Sequence, residues 1–217
     1  MEKMMEEKRK VNSMTFIAAF ALTVLVFVGG LAIGSLITQG KVNDILSVEK
    51  ESQLQLENLQ LEEQLLQDTP CQSPTLLSQS LEDLGTKLTY LETQYSKNDQ
   101  RILDLKKPYT LLELRHYLAL RDMTSKCQQN YTLILFFYSN SPESVDASEQ
   151  QGFVIDYLRK KYDNVKAYSI DADMDLGIIK VLKDKYHISA VPSLVINDNV
   201  YVGLHSKEEL EKLFESK

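Results

Sequence analysis

Two cysteines, Cys71 and Cys127, are the only thiols in a chain of 217 residues. They are too far apart in sequence to tune one another as a closely spaced redox pair does. Three arrangements stay open: a bridge within the chain, a bridge between chains, or free thiols. The histidines His116, His187 and His205 are scattered, and no cysteine or histidine falls at short ligand spacing. That excludes the usual four-ligand zinc site, and the three histidines are taken as surface or interface residues. Asp171, Asp173 and Asp175 alternate as cation ligands would. No glycine follows at the sixth position and no glutamate at the twelfth, as an EF-hand loop requires. They are expected to be a solvated strand end, and neither a metal nor a cofactor is expected. Asn130-Tyr131-Thr132 is a glycosylation sequon, with meaning only in a host that glycosylates exported proteins.

The elements that must hold these groups begin with an anchor. Thr15 to Thr38 is a run of 24 residues with no charge, rich in Val, Leu, Ile, Phe and Ala. As a helix it would extend ~36 Å, enough to cross a ~30 Å hydrocarbon core with some tilt. A cleaved signal peptide is the rival reading, with Ala32-Ile33-Gly34 as its cleavage site. Its apolar stretch would be shorter, about 7–15 residues. Lys3, Lys8, Arg9 and Lys10 precede the run, and only Lys41 follows closely. The positive-inside rule then places the amino terminus in the cytoplasm and the carboxyl-terminal part outside it, a single-pass cell-membrane protein. The net charge is −7, and Lys and Arg form no block beyond the first ten residues. A nucleic-acid partner is therefore not expected. Gly29, Gly30 and Gly34 would let two spans approach closely.

Beyond the span, Val42 to Gln67 contains no Gly or Pro and is rich in Leu, Glu and Gln, a helical composition. Its apolar stripe, Ile45, Val48, Ser52, Leu56, Leu59 and Leu66, is imperfect. Leu54, Leu61 and Leu65 form a second edge. Asp68 to Pro74 breaks the chain, and Ser73-Pro74 is a helix start. Leu77, Leu81, Leu84, Leu88, Leu91, Tyr95, Asn98, Ile102 and Leu105 then alternate in steps of four and three, a coiled-coil seam. Two arrangements fit: a hairpin of Val42–Gln67 on Thr75–Lys106, or a parallel homodimer through the stalk with Asn98 setting register. Pro108 is expected to end this helix. Thr110-Leu111-Leu112-Glu113 is a capping box that would start another, running to about Lys126. If Thr75–Lys106 were one straight helix of ~48 Å, a return helix of ~24 Å would leave Cys71 and Cys127 far beyond bridging distance. Closure requires a bend, and Ser96-Lys97-Asn98-Asp99 is the least helix-prone stretch.

From Tyr131 the pattern changes. Thr132–Tyr138 is a continuous apolar run of strand length, as in strands covered on both faces. A helix is expected at about Glu149–Tyr162, a strand at Val165–Ile170 and a helix at Leu176–Tyr186. Two strands follow, Ser193–Ile196 and Val200–Gly203, joined by the turn Asn197-Asp198-Asn199, and then a last helix at Ser206–Glu215. The order β-α-β-α-β-β-α gives a mixed sheet with helices on both faces.

This stretch resembles the thioredoxin fold. Tyr186-His187-Ile188-Ser189-Ala190-Val191-Pro192-Ser193-Leu194 is similar to the segment that carries the cis-proline in that family. Ile170-Asp171-Ala172-Asp173 is similar to the end of its central strand, and Val202-Gly203-Leu204-His205-Ser206-Lys207 to its glycine and final helix start. The resemblance covers residues 131–217 and implies an α/β domain with a cis bond at Val191–Pro192. Redox-active members carry Cys-x-x-Cys where the first strand meets the next helix. Counting from the strand puts those positions at Ser141 and Ser144; counting back along the helix puts them at Val145 and Ser148. Neither register holds a cysteine, and Leu135 stands where the family has a buried acidic residue.

The expected organisation is a cytoplasmic tail (1–14), a transmembrane helix (15–38), a helical coiled-coil stalk or hairpin (41–107), a connecting helix (110–126) and a thioredoxin-like domain (131–217). The expected function is a redox-inactive, membrane-anchored module that binds an unidentified protein or peptide, or serves as a scaffold. Ser144, Ser148, Val191 and Pro192 are its groove candidates, on the family's pattern. The alternative is a thiol–disulfide oxidoreductase, or an accessory to one, using Cys71 and Cys127.

Overall fold

The computed structural model describes residues 13–66, 71, 75–95, 99–127 and 129–215. The helix start at Ser73-Pro74, the register residue Asn98 and the basic residues before the span lie outside the described residues. The chain divides into two units, Met1–Leu46 and Ser47–Lys217.

In the first unit runs the beginning of α1 (Ser13–Leu66). Phe16–Leu36 is long and apolar enough to cross a membrane, and none of it is buried among the described residues. The helix runs on without interruption after the apolar run, as far as Leu66. No residue from Gln39 to Leu66 is a proline, and Gly40 alone is too weak a breaker to stop a helix.

In the second unit the helices α2 (Thr75–Gln94) and α3 (Gln100–Lys126) pack on each other. Leu81, Leu84, Leu88 and Leu91 of α2 are buried, as are Ile102, Leu105 and Leu112 of α3. The four-three seam is thus filled by the next helix of the same chain. Glu51 of α1 also forms an ion pair with Lys87 of α2. The expected continuous helix breaks between Tyr95 and Gln100, in its most polar stretch. Asp99 caps α3, its Oδ1 accepting the Arg101 N–H at 2.9 Å. Pro108, expected to end a helix, lies inside α3. A proline in the interior of a helix costs about 3 kcal/mol. The apolar residues buried on either side of it, Leu105 and Leu112, offset that cost. The capping box at Thr110–Glu113 is consequently mid-helix, with both of its end residues buried.

The remaining elements are β1 (Thr132–Tyr138), α4 (Val145–Lys161), β2 (Val165–Asp171), α5 (Gly177–Tyr186), β3 (Ser193–Ile196), β4 (Asn199–Val202) and α6 (Lys207–Glu215). The four strands form one mixed sheet in the order β2-β1-β3-β4, with β1 parallel to β2 and the other pairs antiparallel. Helices flank both faces, a thioredoxin-like topology. Alternation along β1 decides which side chain meets which layer. Leu133, Leu135 and Phe137 pack with Leu114, Tyr117, Leu120 and Met123 of α3 and Ile179 of α5. Ile134 and Phe136 pack with Ile155 and Leu158 of α4 and Leu210 of α6. Leu135, at the position of the family's buried acid, is wholly buried in the first of these clusters. The core on that face depends on α3, which precedes residue 131 in sequence.

Candidate functional site

Cys127 closes α3, its N–H donating to the Met123 carbonyl at 2.8 Å, and Cys71 lies just ahead of α2. Because α2 returns along α3, the two meet: Cα atoms 5.5 Å apart and sulfurs bonded at 2.12 Å. Cys71 is exposed and Cys127 half-buried. This overturns the expectation of a redox-inactive chain. The motif position holds no thiol, yet Cys71 and Cys127 stand at disulfide distance, with Cys71 at the surface. Of the three arrangements left open by the sequence, the structure has the bridge within the chain, and the bend that closure requires falls between α2 and α3.

The second polar region lies at the carboxyl end of β1. Ser144 stands at the cap position of α4 without a side-chain cap bond, so the two motif registers straddle the helix start. The Ser141 carbonyl accepts from the Ser144 and Val145 N–H groups at 3.0 and 2.9 Å. Ser148 is buried and its Oγ accepts the Ser139 N–H at 3.2 Å. Ser139 Oγ in turn donates to Asp173 and accepts the Ser141 N–H at 2.9 Å. These hydroxyls are engaged in closing the loop, and no imidazole joins them in the described hydrogen bonds. Asp171 is buried, which raises its pKa, while the Asp173 N–H and Lys106 pull the other way. Asp175 pairs with Lys180 at 3.0 Å. A cavity of about 400 Å³ lies here, lined among others by Lys107, Asn140, Asp171 and Asp173. Among the described residues no three His, Cys, Asp or Glu side chains converge as a metal site.

The Val191–Pro192 bond is cis. Pro192 is buried and its carbonyl accepts the Gly203 N–H at 2.8 Å; Val191 is partly buried. Gly203 has φ +89°, a conformation that favours glycine. The groove candidates Ser144, Ser148, Val191 and Pro192 thus belong to the carboxyl end of β1 and its neighbours, whereas Cys127 lies just before the amino end of β1. Seven residues of strand span ~20 Å, so the cysteine pair and the groove candidates do not form one site.

His116 departs most from expectation. Instead of lying at the surface it is 4% exposed. Its Nε2 pairs with Ser78 Oγ and its Nδ1 with the Tyr168 hydroxyl, each at 2.8 Å. Burial, with a smaller contribution from Lys166, lowers its pKa to about 4. One turn earlier Glu113 is buried too, and burial lifts its pKa to about 8. The Ser169 N–H, 3.4 Å from its Oε1, pulls in the opposite direction, as do Arg159, Tyr109 and Lys106. Sequence reasoning missed both groups. The available signal was their place on the stripe that Leu112, Leu120 and Met123 mark as buried. His187 and His205 differ: His187 is exposed at the end of α5 in the left-handed region, and His205 lies 3.3 Å from Glu209.

No known protein-family profile matches the chain, and no curated protein matches it. Two solved structures show distant, partial likeness. One is a malarial protein, 19% identical, with a TM-score of 0.33 over 40% of this chain and 97% of that one. The other is thioredoxin-2, a component of the malaria parasite protein secretion machinery. It is 19% identical, with a TM-score of 0.33 over 41% of this chain and 85% of that one.

Proposed function

We propose that the chain is a membrane-anchored thiol–disulfide exchange protein, or an accessory to one, working through Cys71 and Cys127. The observation that carries this reading is the bonded pair at the surface, with Cys71 exposed. The substrate class is a protein that presents two thiols. One substrate thiolate attacks a sulfur of the pair; the Cys71–Cys127 bond breaks, a mixed disulfide forms and the other cysteine leaves as thiolate. The second substrate thiolate then attacks the mixed disulfide. The substrate departs with a new disulfide, two electrons poorer, and Cys71 and Cys127 remain as two thiols. Exchange with a further disulfide-bearing protein restores the bond.

Access favours attack at Cys71. The carboxyl end of α3 carries negative partial charge, which disfavours a thiolate at Cys127. Exchange is therefore slower than at a cysteine placed on a helix amino terminus. In this reading the amino terminus is cytoplasmic, the apolar part of α1 anchors the chain, and residues 131–217 form a thioredoxin-like domain outside, where disulfides persist. Ser144, Ser148, Val191 and Pro192 have no role in the exchange.

The test is oxidation of a dithiol peptide by the full chain in detergent micelles, followed as loss of peptide thiol. One equivalent of peptide should be oxidised per bonded chain, with two protein thiols appearing. The Cys71→Ala, Cys127→Ala variant should be inert. Loss of peptide thiol no faster than in protein-free buffer would reject the reading.

A further inference from the structure

The Cys71–Cys127 bond clasps the amino end of α2 to the carboxyl end of α3. The opposite end of this helix pair is held by Glu92 and Lys106, and between them Leu81, Leu84, Leu88 and Leu91 are buried. Ser78 and Ser80 are half-buried and Gln79 is exposed, and Ser78 reaches His116. His116 and Tyr168 therefore form a buried polar pair whose outer hydrogen-bond partner comes from the very turn that the disulfide tethers.

We propose that the Cys71–Cys127 bond is a redox latch: opening it releases the first turns of α2 and admits water to the His116–Tyr168 pair beneath them. Helix ends fray unless tied down, and one neutral hydrogen bond contributes little net stability because water can replace the serine. The leucines from Leu81 onward keep the rest of α2 seated, so the release is local. The groups that act on His116 are Ser78 from α2 and Tyr168 and Lys166 from β2; on its own helix Glu113 and Tyr117 are buried with it. Burial keeps its imidazole neutral; hydration returns it toward ordinary titration. The inference takes from the exchange reading only what opens the bond in the cell.

The experiment uses the full chain in micelles, before and after reduction by a water-soluble phosphine. The phosphine takes up an oxygen from water as the disulfide becomes two thiols. Amide hydrogen exchange should accelerate at least tenfold more in residues 75–83 than in β1. The His116 ring titration should move up from about 4 toward 6.5. The Cys71→Ser, Cys127→Ser variant should match the reduced chain, which provides the open state even if the phosphine does not reach the bond. Equal acceleration in α2 and β1, or an unmoved His116 titration, would reduce the bond to a simple staple. A chain inert toward the dithiol peptide but showing this release keeps the latch and loses the exchange reading; exchange without release does the reverse.

Discussion

Lys106 forms an ion pair with Glu92 across α2 and α3, and its side chain is only 7% exposed, against 18% for Glu92. Its ammonium also lies 5.9 Å from the centre of the Tyr138 ring. Removing one member leaves the other charge buried without its partner, which typically costs 3–5 kcal/mol. Glu92→Gln should therefore lower the urea-unfolding free energy by about 3 kcal/mol. The Glu92→Leu, Lys106→Met double variant should recover most of that loss. A double variant no more stable than the single would show that the pair contributes more than its desolvation costs.

Stability should fall as pH rises from 6.5 to 8. The folded-state pKa of Glu113 is raised from 4.5 to about 8, so its contribution is full below 4.5 and lost as pH climbs through 8. That of His116 is lowered from 6.5 to about 4, so its contribution is full above 6.5 and lost as pH falls toward 4. Between 4.5 and 6.5 the two trends oppose each other. Above 6.5 only Glu113 still changes, by about 1.4 kcal/mol per pH unit at most. Denaturant unfolding of the wild type at pH 6.5 and 8 should show the decline, and Glu113→Gln should abolish it. An equal decline in the variant would remove Glu113 as its cause.

Gly85 lets α2 approach α3. A Cβ there would stand 2.7 Å from the Tyr109 hydroxyl. Alanine improves helix propensity by about 1 kcal/mol, yet crowding of this kind costs about 1–3 kcal/mol. Gly85→Ala should lower the melting temperature, and Tyr109→Phe should restore part of it by removing the oxygen. A rise in melting temperature on Gly85→Ala alone would mean that Tyr109 moves aside freely.

A reporter active only outside the cytoplasm, fused after Lys217, should be active, and a cytoplasm-only reporter at the same place should be silent. The opposite pattern would reverse the orientation and place the cysteine pair in a reducing compartment, where a bond between them would not persist.

The sequence by itself determined the features that rest on local pattern. The charge-free run shows as an apolar helix because its composition admits no other partner but lipid or core. The strand–helix order after Tyr131 shows because apolar runs, turns and periodicity are properties of neighbouring residues. The cis bond at Val191–Pro192 was expected from resemblance, on a short and specific segment. The four-three leucine spacing correctly marked a helix seam, but a seam does not name the helix that fills it.

Only the tertiary structure decided what depends on distant residues meeting. The break at Tyr95–Gln100 turns α3 back along α2, and that turn makes a bonded pair of Cys71 and Cys127 and fills the leucine seam from within the chain. Pro108 is held inside a helix because packing on both sides outweighs its local preference. His116 is polar and expected at the surface, and Glu113 reads as the end of a capping box. They are buried because α3 has α2 on one side and the sheet on the other, so that even its polar positions lose contact with water.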